Sequence, residues 1–173
     1  MSALLDENQI AKVLDRVAAE IAASIPRGAS LGVIGIRSRG DTLASRLIRL
    51  LEARGCENIA FGTLDITLYR DDLAEIGPAA VVRTTEIPFD VADKYLVLVD
   101  DVIYSGRSIR AALDAIKDLG RPRAIRLAVL VDRGGRELPI QPDFVGVRAE
   151  GENKHITVML KETNGLDRVE MEE

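Results

Sequence analysis

The stretch Leu96-Val-Leu-Val-Asp-Asp-Val-Ile-Tyr-Ser-Gly-Arg-Ser108 gathers the residue types that do chemistry. Four apolar residues make a buried strand, two acids stand at its carboxyl end, and a loop rich in serine and glycine opens a helix. In open α/β sheets a ligand sits just outside the carboxyl ends of the strands, so Asp100 and Asp101 point toward the place a ligand would occupy. The loop adds the complement. Free backbone N–H groups at a helix N-terminus, with the hydroxyls of Ser105 and Ser108, form a cradle for a phosphate, and Gly106 lets the backbone approach the anion closely. Acids beside an anion cradle suit a ligand with both vicinal hydroxyls and a phosphate, a ribose 5-phosphate. Taken alone, the same acids and serines also describe an ordinary turn and a capped helix.

These residues need a scaffold, and the hydrophobic pattern supplies one. Ile10, Val13, Leu14, Val17, Ala18 and Ile21 recur at helical spacing until Pro26-Arg-Gly28. Leu31 to Ile36 is a short apolar run, followed by Arg37-Ser-Arg-Gly40 and a helical face at Leu43, Ala44, Leu47, Ile48 and Leu51. Ile59 to Leu64, Tyr95 to Val99 and Ala124 to Val131 read as further strands, and the loop Val102 to Gly106 leads into a helix through Leu119, closed by Gly120 and Pro122. Apolar strands alternating with helices of a dozen residues predict a parallel sheet covered on both faces, a doubly wound α/β fold. Phe144 to Val147, His155 to Leu160 and Arg168 to Met171 look like strands added late. Residues 65–94, acidic and carrying Gly77-Pro78, Pro88 and a Thr/Val-rich stretch at 81–87, read as an excursion: a β-hairpin arm and not a helix. No linker or repeat interrupts the 173 residues, so one domain, 1–173, is expected.

Composition excludes several classes. No apolar run reaches the ~18 residues that span a bilayer, so no membrane role is expected. Nothing at the N-terminus resembles a secretion signal, and the single cysteine, Cys56, can form neither an internal disulfide nor a zinc site; both fit the cytoplasm. A net charge of −5 argues against a coat of positive charge for nucleic acid, although arginines cluster in blocks and phosphate-bearing ligands stay possible. The only histidine, His155, reads as a surface or packing residue.

The thirteen-residue pattern at 96–108 resembles the phosphoribosyl pyrophosphate (PRPP) motif of type I phosphoribosyltransferases. Three further blocks narrow the resemblance to the pyrimidine-operon attenuation regulators that are also uracil phosphoribosyltransferases: Leu64-Asp-Ile-Thr-Leu-Tyr-Arg-Asp-Asp-Leu73, Gly120-Arg-Pro122, and Leu127 to Ile140 with Asp-Arg-Gly-Gly-Arg at 132–136. The resemblance implies a parallel-sheet core with a flexible hairpin. It also implies transfer of phosphoribose from PRPP to uracil, giving UMP and pyrophosphate, with Mg2+ accompanying PRPP, in a homodimer or higher homo-oligomer. UMP-dependent binding of pyrimidine leader mRNA, attenuating transcription, is the implied second activity. A phosphoribosyltransferase acting on uracil or a purine base without RNA binding is the alternative.

Carried over residue by residue, the resemblance assigns the ribose hydroxyls to Asp100 and Asp101, directly or through magnesium, with no protein cage of metal ligands. Carboxylates there would favour the cation-like state at ribose C1. The 5-phosphate falls to the loop Val102, Ile103, Tyr104, Ser105, Gly106, Arg107 and Ser108, where Arg107 either adds charge or faces solvent. Ser38, Arg39 and Gly40 match the pyrophosphate loop, a backbone nest with one guanidinium, for which a basic surface turn is the plain alternative. Asp132 and Arg133 fall where the family recognises the base, and Arg70 and Thr85 lie in the covering arm. Arg16, Arg27, Arg136 and Arg148 are the RNA-contact candidates. The chain departs from the family pattern at Gly135, usually His, at Gln141, usually basic, and through Arg148-Ala-Glu-Gly-Glu-Asn-Lys154.

Overall fold

A computed structural model describes residues 2–77, 84–149 and 154–172. Two sheets organise the chain. Five parallel strands run in the order β3-β2-β4-β5-β6, formed by β2 (Leu31–Ile36), β3 (Ala60–Leu64), β4 (Tyr95–Ile103), β5 (Ala124–Asp132) and β6 (Phe144–Arg148). A smaller antiparallel sheet has the order β1-β8-β7, from β1 (Ser2–Leu5), β7 (His155–Met159) and β8 (Arg168–Glu172).

Helices cover both faces of the parallel sheet, as the strand–helix alternation predicts. Side chains of α1 (Glu7–Ser24) and α2 (Gly40–Ala53) share one apolar cluster with Val33, Val97, Val99 and Leu130, and Leu5, Val158 and Val169 of the small sheet join it. The other face packs Ile34, Leu96, Leu98 and Val129 against Ile109, Ala112 and Ile116 of α4 (Arg107–Leu119). Strands buried on both faces read as unbroken apolar runs because neither side of the pleat meets water. The start of α1 is secured by Asp6, whose carboxylate accepts from Gln9 N at 2.8 Å while the Gln9 side chain accepts from Asp6 N at 2.8 Å.

Three local expectations change. The strand at 95 runs on to Ile103, because Val102 and Ile103 still pair with Val131 and Asp132 of β5. The loop therefore begins at Tyr104. Among the described residues of the arm, the outgoing side is a 3-10 turn, Thr67–Tyr69, and a one-turn helix α3, Leu73–Ile76, where a helix is not expected. Leu73, Ala74 and Glu75 suit a helix, and four residues are too few to show a period. The return side pairs back through an antiparallel bridge between Thr63 and Glu86; residues 78–83, with part of the Thr/Val stretch, lie outside the described residues. The small sheet is the third change, since the expected late strands 155–160 and 168–171 pair with a first strand, Ser2–Leu5, that the sequence pattern does not announce. No helix among the described residues is long and apolar enough to cross a membrane.

Candidate functional site

Asp100 and Asp101 lie near the carboxyl end of β4. Val97 and Val99 pack with α1 and α2 and Leu96 and Leu98 with α4, whereas beyond the pair Val102 joins the first cluster and Ile103 the second, so the strict alternation breaks at the two acids. Asp100 is only 7% exposed, and its Oδ1 accepts from Asp101 N at 2.9 Å. Asp101 Oδ1 accepts from Val102 N at 2.8 Å. Burial, reinforced by the neighbouring Asp101 carboxylate, pushes the Asp100 carboxyl well above the ordinary range. Burial also raises Asp101, against the opposing pull of backbone hydrogen bonds and the Arg39 guanidinium. Two hard oxygen donors here suit magnesium, whose ligands are carboxylate, phosphate and water oxygens. Among the described residues no group of three or more His, Cys, Asp or Glu gathers as a metal cage.

The loop between β2 and α2 is set against these acids by glycine. A Cβ on Gly35 would stand 2.4 Å from Asp41 Cα, and one on Gly40 would stand 2.5 Å from Val99 O. Only glycine lets the turn of α2 lie directly on strands β2 and β4. Arg39 holds φ at +73°, and the Arg37–Ser38 peptide is cis. Sequence reasoning passed over Arg37. Its backbone N donates to Leu64 O at 2.9 Å and its Nη2 to Thr63 Oγ1 at 2.9 Å, tying the loop to β3. Nε of Arg37, Arg39 and Arg133 are buried without a hydrogen-bond partner among the described residues. Buried donors in a native fold are paired, and these nitrogens, two just after β2 and one just after β5 at the carboxyl ends of the parallel strands, are what an anionic ligand would satisfy.

The loop after β4 is stitched to the segment after β5. Arg133 N donates to Ile103 O at 3.0 Å, Arg136 Nη1 to Tyr104 O at 3.0 Å, and Glu137 N and Leu138 N to Ser105 O at 2.9 and 3.1 Å. Gly106 adopts φ +93° and starts α4, and Arg107 N lies 3.3 Å from Ser105 Oγ. Above it, the Arg133 guanidinium stacks on the Tyr104 ring at 4.2 Å. Asp132 is buried, accepting from Gly134 N at 2.9 Å and pairing with Arg136 at 2.9 Å.

Arg107 neither faces solvent alone nor stands free. Its Nε donates to Glu137 at 2.8 Å and its Nη1 to Asp71 of the arm at 2.6 Å. Arg70 forks onto Asp72 at 2.8 and 2.7 Å, and Thr85 Oγ1 accepts from Asp65 N at 2.9 Å where the arm returns. A cavity of about 190 Å3 lies here, lined by Arg70, Asp71, Asp72, Ser105, Arg107 and Ser108. The structure thus brings the arm residue Arg70 to Ser105 and Ser108.

The four arginines considered for RNA are divided. Arg16 bonds to the carbonyls of Val145 and Gly146 on β6 and to Glu20, Arg148 pairs in register with Asp132, and Asp132 binds Arg136, so these three are tied to β6 or to the end of β5 beside it. Arg27 lines a different cavity, about 610 Å3, beside Ser30 and Leu31 at the amino end of β2. Arg136 is spent on Asp132, Gln141 and the carbonyls of Tyr104 and Ile140, which leaves it little to offer a ligand.

Residues 1–163 match the phosphoribosyl transferase domain family. Close relatives carry one name, Bifunctional protein PyrR: the Deinococcus radiodurans protein is 49% identical over 97% of this chain and 92% of its own length. The Thermus aquaticus protein is 50% identical over 97% and 93%. The chain belongs to the PyrR family of phosphoribosyltransferases. Among solved structures, a hypoxanthine-guanine phosphoribosyltransferase of Bacillus anthracis superposes with a TM-score of 0.73 at 18% identity, covering 98% of this chain and 96% of that one. A Trypanosoma cruzi hypoxanthine phosphoribosyltransferase, solved as a ternary substrates complex, reaches 0.75 at 18% identity over 96% and 92%. At that identity the likeness concerns the fold, and it agrees with the parallel core read from the strands.

Proposed function

We propose that this chain transfers phosphoribose from PRPP to uracil, forming UMP and pyrophosphate, and that with UMP bound it holds the leader RNA of pyrimidine operons to attenuate transcription. The observation that carries the transferase half is one edge of the parallel sheet, where the Asp100–Asp101 pair, the 38–40 loop and the 104–108 loop converge. In this reading Ser105, Gly106 and Ser108 hold the 5-phosphate at the start of α4, and Ser38, Arg39 and Gly40 hold the pyrophosphate. Asp100 and Asp101 take the ribose hydroxyls and the magnesium that arrives with PRPP. Magnesium supplies charge neutralisation of the pyrophosphate leaving group.

In the transfer the bond from ribose C1 to the pyrophosphate oxygen breaks, a bond to uracil N1 forms, and the N1 proton leaves. Positive charge on the ribose rises and falls between, so fixed carboxylates beneath it lower the barrier. Asp132 and Arg133 serve the base, and Arg70 and Thr85 belong to the arm that keeps water from the cation-like state. The chain works in the cytoplasm as a homo-oligomer built on a dimer, each chain one domain.

Purified protein incubated with PRPP, magnesium and each nucleobase is expected to consume uracil; turnover of hypoxanthine or guanine alone would overturn the base assignment. Replacing Asp100 and Asp101 together with Asn is expected to lower kcat at least ~100-fold with an unchanged melting profile. The transferase-only reading has a specific observation behind it, because Arg16 and Arg136 are committed to internal partners on a chain of net charge −5. Leader-RNA binding measured with and without UMP across a salt series separates the two readings, since phosphate contacts make affinity salt-dependent. A UMP-dependent, sequence-specific component is expected; its absence would leave the transferase alone.

A further inference from the structure

The cavity between the arm and the phosphate loop is electrically full. Its four charged lining residues, Arg70, Asp71, Asp72 and Arg107, sum to zero, and each arginine already has a carboxylate in contact: Arg70 with Asp72 at 2.7 Å, Arg107 with Asp71 at 2.6 Å. Glu137 takes the Nε of Arg107 from the opposite side at 2.8 Å. The two acids that hold Arg107 differ in mounting. Glu137 sits on a segment whose own backbone N–H, and that of Leu138, bond to Ser105 O, so it moves with the phosphate loop. Asp71 is carried by the arm, between the 3-10 turn and the short helix, and reaches Arg107 across 36 positions of chain.

A phosphate entering beside Ser105 and Ser108 carries up to two negative charges into this neutral lining. It gains the Arg107 guanidinium fully only if a carboxylate yields it, and a carboxylate that stayed would repel it. Glu137 is tied to the loop by backbone bonds, and Asp71 is not. We propose that Asp71 is a built-in counter-ion that competes with the ligand's 5-phosphate for Arg107, a positioning residue that sets phosphate affinity. This rests on the phosphate assignment of the 105–108 loop. By linkage the pair weakens the phosphate by the same factor by which the phosphate weakens the pair.

The competition predicts a gain on removal, the opposite of what a substrate-binding or merely structural residue would give. Asp71 is exposed, so substitution leaves the core untouched. Ribose 5-phosphate binding, followed by calorimetry, is expected to tighten roughly two- to fivefold in Asp71→Asn, the range of a solvent-exposed ion pair, and to return to the wild-type value in Asp71→Glu. Equal or weaker binding by Asp71→Asn, with normal binding by the wild type, would overturn the counter-ion while leaving the phosphate site standing. Failure of the wild type itself to bind ribose 5-phosphate would overturn the phosphate assignment and this inference together.

Discussion

Tyr104 shows how single residues shape the site. Its ring is 44% exposed yet held from two sides, by the Arg133 guanidinium at 4.2 Å and by the backbone of Gly135, where a Cβ would stand 2.4 Å from the ring. Gly135→Ala must therefore displace the ring or the loop. Gly134 is the control: it has nearly the same φ, +74° against +75°, but a Cβ there meets nothing within 4 Å. Both alanines carry the left-handed backbone penalty of about 1–2 kcal/mol. Only Gly135→Ala is expected to change tyrosine emission, which is readable because the chain has no tryptophan, and to raise KM for PRPP or uracil by more than it lowers kcat. Equal effects from the two variants would remove the Tyr104 contact from the site. At this scale residue type was legible and partnership was not. The acids, serines and glycine of 100–108 can be singled out by type alone, but the occupation of Arg107 depends on Asp71 and Glu137, 36 and 30 positions away. Arg136 likewise looks like any surface arginine until Asp132 and the carbonyls of Tyr104 and Ile140 close around it.

Helix α2 presents the 38–40 loop at one end and, two turns on, is clamped to the chain's final segment. Arg46 forks onto Glu162 at 2.9 and 2.5 Å and onto Asp167 at 2.8 and 2.7 Å. Exposures of 17% for Arg46 and 10% for Asp167 make that half of the clamp nearly buried, whereas Glu162 is open to solvent. Arg46→Met is expected to cost about 1–3 kcal/mol in urea denaturation, between the value of an exposed pair and the loss on opening a buried one. The hydrogen bonds from Arg46 hold both carboxyls below their ordinary values. Depressed folded-state values mean stability that is present above the unfolded values and lost as pH falls through the folded ones, so the wild type should weaken below pH about 4. Denaturation midpoints measured from pH 6 down to 2 should fall less steeply in Arg46→Met. The long elements themselves were readable from sequence, since Leu31–Ile36 and Ala124–Val131 are apolar runs with helical faces between them. The arm and β1 were not: the arm's helix is a single turn, and Ser2–Leu5 is a four-residue strand with one buried side chain, Leu5, that makes sense only beside Val169 and Met171.

At the scale of the whole molecule, two sheets with different histories along the chain share one apolar cluster. In the parallel sheet β4 pairs with β2, crossing over β3, and that sheet alone bears the loops at 38–40, 104–108 and 133–136. The small sheet joins the beginning of the chain to its end, Ser2 opposite Met171 and Leu5 opposite Val169. Deleting residues 2–5 is expected to lower the melting temperature by several degrees, through loss of the buried Leu5 and exposure of the β8 edge, while PRPP binding persists because no loop of the site rests on β1. The pairing also has a consequence for synthesis. β1 leaves the ribosome before every other described strand and β8 after them, so the parallel sheet can assemble on the nascent chain while Ser2–Leu5 waits, unpaired, for β8. Closure of the small sheet is then the one pairing among the described strands that must wait until both sheets' strands have been made.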